Sequence, residues 1–146
     1  MKCKEIMVGD WVATEHDFPM KVVNVGDDYA YATFEGNEGD PWEFEDKDDQ
    51  PYPISLTNDI MKKNGWEMKS YMLPPYASFI RTYYFTRDEG DTHLELKGNT
   101  LTIWFNYEKG NDGAIADISI PVKYAHQLQQ VLRIAGLTDM ANNFKI

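Results

Sequence analysis

Pro51-Tyr52-Pro53 is the segment that most limits how this chain can fold. Two prolines in three residues favour extended backbone and forbid a helix through them, so the parts on either side must be built separately. Charge divides at nearly the same place. Residues 1–56 hold 14 Asp/Glu against 4 Lys/Arg and residues 57–146 hold 10 of each, so the whole net charge of −10 falls in the first part. It is densest in residues 35–49, where eight carboxylates surround Lys47. The expected organisation is a β module over residues 1–50 and a mixed sheet-and-helix region over 51–146.

Before the boundary the sequence reads as short strands. Val8-Gly9-Asp10-Trp11-Val12-Ala13 and Met20-Lys21-Val22-Val23-Asn24-Val25 are β-rich runs separated by a His16-Asp17-Phe18-Pro19 turn. Gly26-Asp27-Asp28 supplies the next turn. Tyr29-Ala30-Tyr31-Ala32-Thr33-Phe34 then alternates, with Tyr29, Tyr31 and Thr33 on one face and Ala30, Ala32 and Phe34 on the other. In Pro41-Trp42-Glu43-Phe44-Glu45 the same alternation sets Trp42 and Phe44 opposite Glu43 and Glu45. Four short strands with tight turns and no helical period imply a small curled barrel of SH3-like shape. Such a module must hide its strand edges, and the second half is expected to cover one of them.

After the boundary, Thr57 is placed to cap a short helix over residues 58–64. Asp59 suits its positive end, Lys62 and Lys63 its negative end, and Gly65 the left-handed exit. Strands are expected over 66–72, 78–87, 92–97, 100–107 and 114–120 as an antiparallel meander. Gly98-Asn99 suits a two-residue hairpin loop, and Gly110-Asn111-Asp112-Gly113 a longer one. Ile115 against Ile118 and Ile120 calls for a one-residue slip or bulge. Pro121 stops the last strand, and residues 122–135 carry helical periodicity ending at Gly136. Tyr124, Leu128, Val131, Leu132 and Ala135 form an apolar stripe expected to lie across the meander. Residues 137–146 read as a lightly tethered tail, with Leu137, Met140 and Phe144 available to dock it. The fold class is therefore α+β: an N-terminal SH3-like barrel, then an antiparallel sheet flanked by two helices.

Composition excludes several functions. With 14% aromatic residues the chain carries too much ring area for a disordered acidic tail. Every hydrophobic run is interrupted by charge well short of the roughly 20 residues that cross a bilayer, so no membrane span is expected. Cys3 is the single cysteine and has no internal disulfide partner; with no apolar leader evident, the expected compartment is the cytoplasm. The densest basic cluster is Lys62-Lys63 and the net field repels phosphate, so direct nucleic-acid binding is not expected. Aromatic runs such as Tyr83-Tyr84-Phe85 and Trp104-Phe105-Asn106-Tyr107 serve sheet packing more often than base stacking.

No catalytic motif is visible. His16, His93 and His126 lack metal-ligand spacing, and no phosphate loop, nucleophile elbow or zinc motif occurs, so neither a metal nor a cofactor is expected. His126 reads as structural on its helix, and His93 beside Asp91 as a turn residue or half of an acid/base pair. The acidic run reads as a solvated edge or, against the ligand spacing of a calcium loop, as a surface for a protein partner with a basic face. The candidate interaction residues are Trp42, Glu43, Glu45, Asp46, Asp48 and Asp49.

Three blocks carry a resemblance: Ile6-Met7-Val8-Gly9-Asp10-Trp11-Val12, then Pro53-Ile54-Ser55-Leu56-Thr57-Asn58-Asp59-Ile60-Met61 with Asn64-Gly65-Trp66, then Val122-Lys123-Tyr124-Ala125-His126-Gln127-Leu128-Gln129-Gln130. In that order they resemble a family of short uncharacterised proteins of Bacteroides-type gut bacteria and their prophages or mobile elements. Ser55 and Ala125 replace that family's usual proline and valine. The resemblance implies a bacterial setting and carries over no activity, cofactor or site residue. The leading expectation is a non-catalytic interaction or accessory protein of mobile-element origin, binding a host protein through its acidic surface. The alternative is an enzyme whose pocket the sequence does not reveal.

Overall fold

The computed structural model describes residues 1–72, 81–105 and 116–146. Among them the chain is α+β and mostly strand: a four-stranded and a five-stranded antiparallel sheet with a few short helices. It divides into two units, Met1–Leu56 with Lys123–Ile146, and Thr57–Val122.

The first unit opens with a 3-10 turn, Cys3–Glu5, and four strands in the order β1 (Trp11–Ala13), β2 (Pro19–Val25), β3 (Tyr29–Thr33) and β4 (Trp42–Glu45). The alternation read from residues 29–34 holds, because Ala30 and Ala32 are fully buried while Tyr29 stays exposed. β3 and β4 pair Ala30 with Phe44 and Ala32 with Trp42, which puts both rings on the inner face, and the register of β2 on β3 shifts between Val22 and Asn24. Phe44 sits with Val12, Met20, Val22 and the two alanines in the core, and the small alanines leave room for its ring. Burying such a ring is worth about 1.5–3 kcal/mol. The sheet order is open, and isolated bridges join Glu45 to Asp49 and Ala13 to Tyr52.

The final helix belongs to this first unit, which corrects the expectation that its apolar stripe lies across the meander. α2 (Ala125–Ile134) buries Ala125, Leu128, Val131 and Leu132. Its residue Gln129 accepts the Trp11 N–H at 2.9 Å, while Ala13 exchanges backbone hydrogen bonds with Tyr52. The outward N–H groups of edge strand β1 at 11 and 13 are thereby satisfied. The helix starts at 125 rather than 122 because residues 122–124 are used as extended chain: Tyr124 bridges Ser55, and Leu56 donates to the Lys123 carbonyl. Residues 137–146 are docked rather than loose. They form α3 (Thr138–Asn142), bury Ala141 and Phe144, and receive the Trp11 indole N–H on the Phe144 carbonyl at 2.8 Å.

In the second unit α1 (Asn58–Lys63) follows its expected signals. The Thr57 hydroxyl accepts the Ile60 N–H at 3.2 Å, and Gly65 leaves at φ +79°, a conformation that costs a side-chain-bearing residue more. β5 (Glu67–Met72), β6 (Arg81–Glu89), β7 (Thr92–Lys97), β8 (Thr100–Phe105) and β9 (Ala116–Pro121) form the meander in sequence order. Leu94 opposite Ile103, and Leu96 opposite Leu101, share the buried face. Pairing of β8 with β9 is regular from Phe105 opposite Ala116 to Thr100 opposite Pro121. The expected slip at Ile115, the loop at 110–113, and the strand ends at 78–80, 106–107 and 114–115 lie outside the described residues.

Candidate functional site

The six acidic-run residues singled out in the sequence go to three different places. Strand alternation turns Glu43 and Glu45 to the outer face, opposite Tyr31 and Tyr29. There a hydrogen bond to the Glu43 carboxylate pushes the Tyr31 hydroxyl above its usual range. Asp46 is a clasp: its Oδ1 accepts the Cys3 N–H at 2.7 Å, and this bond holds its carboxyl below the usual range. Cys3 itself is fully buried, and burial together with Asp46 pushes its thiol up to about 12, which removes it as a nucleophile. Only Trp42, Asp48 and Asp49 meet in a cleft.

That cleft, about 560 Å³, is lined by Thr14, Glu15, His16, Phe18, Met20, Phe34, Trp42, Asp48 and Asp49, all of the first unit. Each wall has a local cause. Buried Thr14 holds the β1–β2 turn: its Oγ1 accepts the His16 and Phe18 N–H groups, both at 3.3 Å, and its backbone donates to the Phe18 carbonyl. Asp17 in that turn has φ +59°. The turn leaves Phe18 47% exposed, its ring edge-on to Phe34 at 4.9 Å between centroids and 80° between planes. Phe34 is set by the Asn37 side chain, whose Oδ1 accepts the Phe34 N–H at 2.7 Å. Trp42 lies on the inner face but at the start of its strand, so the residue is 45% exposed. Its indole N–H donates to Asp49 Oδ2 at 2.9 Å, and Asp49 is fixed by backbone hydrogen bonds with Glu45 in both directions. The result is an aromatic floor under a rim of Glu15, Asp48 and Asp49. Neither Phe18 nor Phe34 was singled out in the sequence; the signal available was two phenylalanines flanking the open end of the β2–β3 hairpin.

A buried polar cluster ties the helices to β1. Asp10, with no exposed surface, accepts from Arg133 Nη1 at 2.5 Å, Gln130 Nε2 at 2.7 Å and the Met7 N–H at 2.9 Å. Gln129, equally buried, also donates to the Gly9 and Ala141 carbonyls. At Gly9 φ is +92°, a conformation that calls for glycine, and a Cβ there would stand 2.9 Å from Arg133 Nη2 and displace the end of that side chain. His126 is 95% buried, stacks on Tyr124 and leaves its Nδ1 without a hydrogen-bond partner. Desolvation depresses its pKa, opposed by the charges of Asp10 and Glu5. It lines a hollow of about 380 Å³ with Met1, Glu5, Pro53, Tyr124, Gln127 and Gln130.

In the second unit His93 pairs with Asp88, Nδ1 to Oδ1 at 2.5 Å. The register explains this, since Asp88 stands directly opposite His93 across the hairpin. The pair lines a hollow of about 470 Å³ with Gly65, Glu67, Lys69, Thr86 and Arg87. Nearby on the sheet, the Lys97 ammonium donates to the Tyr71 hydroxyl, which lowers the Tyr71 pKa and raises that of Lys97. Among the described residues no group of three or more His, Cys, Asp or Glu is placed to hold a metal ion. No helix among them is long and apolar enough to cross a membrane.

No family model, no curated protein and no solved structure matches this chain.

Proposed function

We propose that this is a non-catalytic interaction protein that takes a basic segment of a partner protein into the cleft of its first unit. The single observation that carries the reading is a rim of one charge sign, Glu15, Asp48 and Asp49, set over exposed apolar rings. Apolar floors supply binding energy, whereas rim charges steer encounter and select partners. The same rim disfavours phosphate, hence nucleic acid. The SH3-like barrel is part of this reading, supported by the bridges at Glu45–Asp49 and Ala13–Tyr52, which lead from β4 back to β1. A cytoplasmic setting and a mobile-element origin rest on the single buried cysteine and on the three sequence blocks.

The test is capture of a stoichiometric partner from a lysate of the native host, with the acidic run split by face. Glu15→Gln with Asp48→Asn and Asp49→Asn should weaken capture, while Glu43→Gln with Glu45→Gln should leave it unchanged. Capture indifferent to the first set sinks the reading.

One observation favours a second reading, an enzyme: the Asp88–His93 pair lines a hollow together with Glu67, Lys69 and Arg87. Turnover of p-nitrophenyl esters or phosphates that disappears in His93→Gln would support it, and no turnover by the native chain would count against it.

A further inference from the structure

We propose that the cleft is a receptor for a lysine side chain, reading its ammonium group by ring faces and carboxylates together. This rests on the interaction reading above and specifies what enters the site.

The two phenyl rings decide the shape of the occupant. Phe18 and Phe34 meet edge to face, 80° between planes and 4.9 Å between centroids, so the pair offers a stepped right-angled surface and not two parallel faces. Aromatic faces carry negative potential and attract cations within about 6 Å of the ring centroid. A planar guanidinium lies flat on one ring of such a surface and turns an edge to the other. A tetrahedral ammonium with its last methylene presents the same rounded surface to both. Lysine's apolar stem suits the exposed Trp42, because long basic side chains bury their methylenes while the charged head keeps polar company.

The carboxylates decide the sign and the hydrogen bonding. An ammonium has three N–H donors and no acceptor, and the rim holds three carboxylates and no fixed cation. Asp49 is already oriented by Trp42, whose indole N–H uses one oxygen and leaves the rest of the carboxylate's acceptor capacity. Glu15 keeps 65% of its side chain exposed and stands 3.5 Å from His16 Nε2, so its carboxylate can turn toward an entering charge. A volume of about 560 Å³ accommodates a side chain with flanking residues of an extended segment, within the roughly 300–1,000 Å³ usual for small-ligand sites.

The test titrates the intact chain with head-group analogues, at constant ionic strength, observed by NMR. The probes are n-butylammonium for lysine, n-butylguanidinium for arginine, tetramethylammonium for an alkylated head and 1-butanol as the neutral control. Butylammonium should shift the Trp42 indole N–H and the Phe18 and Phe34 amides in a saturable way, several-fold more tightly than butylguanidinium or tetramethylammonium, with no response to butanol. Phe18→Leu should weaken it about three- to tenfold, a typical loss for one cation–ring contact, and Asp48→Asn with Asp49→Asn by more. Phe18 and Asp48 are exposed, and Asp49→Asn keeps the backbone bonds to Glu45 and an amide oxygen for the Trp42 indole, so these variants should retain the fold, checked by an unchanged amide spectrum away from the cleft. Equal or tighter binding of butylguanidinium, or shifts centred on Tyr29 and Tyr31, would overturn the proposal. Should partner capture depend on the rim carboxylates while butylammonium leaves the cleft resonances unmoved, the lysine receptor falls and the interaction reading stands. Saturable butylammonium binding with capture indifferent to the rim supports the receptor and removes the interaction reading.

Discussion

Removing the Asp10 carboxylate should cost the first unit far more than an ordinary surface charge. Asp10 is fully buried and accepts three hydrogen bonds, so Asp10→Ala strips acceptors from the Met7 N–H, Gln130 Nε2 and Arg133 Nη1 at once. Arg133 keeps only 14% of its side chain exposed, and its Nη2 already lacks a partner, so its charge is left buried without compensation. Breaking a buried pair in this way costs about 3–5 kcal/mol, against a whole-domain stability of about 5–15 kcal/mol. Arg133→Met is expected to cost less, because Asp10 keeps its Met7 and Gln130 donors. The double variant Asp10→Ala/Arg133→Met should recover much of the loss, with a coupling of about 2–3 kcal/mol, since neither charge is then stranded. The assay is urea unfolding of the four proteins, paired with hydrogen exchange at the Trp11 amide, which Gln129 holds beside the cluster. A loss under about 1 kcal/mol for Asp10→Ala, or strictly additive single effects, would refute the buried-pair account.

Three further outcomes follow from single residues. Cys3, with its thiol pushed up to about 12 from 9.0, should resist iodoacetamide in the folded chain and react once urea unfolds it; its share of stability is full below pH 9.0 and is lost as pH rises toward 12. His126, depressed from 6.5 by burial, contributes stability that is full above pH 6.5 and lost as pH falls through its folded value. His126→Gln should therefore flatten the acid limb of a stability-against-pH curve, and an unchanged acid limb would show that the ring titrates freely. Thr57→Ala should remove about 1 kcal/mol, seen as a lower urea midpoint, by freeing the Ile60 N–H at the start of α1.

Local elements were legible in the sequence where one residue fixes one conformation. Thr57 and Gly65 set the ends of α1, Gly98-Asn99 set the β7–β8 hairpin, and alternation in residues 29–34 sorted tyrosines from alanines. The partner of an apolar face was not legible. The stripe of α2 states that one side is buried, but only Gln129, Gln130 and Arg133 meeting Gly9, Asp10 and Trp11 reveal which sheet receives the helix. These are polar contacts across more than a hundred residues, and nothing local encodes them. The acidic run looked like one surface because charge is counted along the chain. Strand alternation separated Glu43 and Glu45 from Trp42, and the turn after β4 turned Asp46 toward Cys3 while Asp49 met the indole. The Asp88–His93 pair was within reach of sequence reasoning, since counting outward from a Gly90-Asp91 turn sets 89 against 92 and 88 against 93.

If a basic partner segment enters the cleft between the β1–β2 turn and the turn after β4, a short basic peptide should bind there. Isothermal titration of the intact chain with a short capped lysine–leucine peptide tests it most directly, comparing the native protein with Glu15→Gln/Asp48→Asn/Asp49→Asn and with Glu43→Gln/Glu45→Gln. Binding should be saturable, weaken with added salt, be lost in the first variant and persist in the second. Equal losses in both variants, or loss only in the second, would show that overall acidity or the outer tyrosine face binds the peptide, and would contradict it.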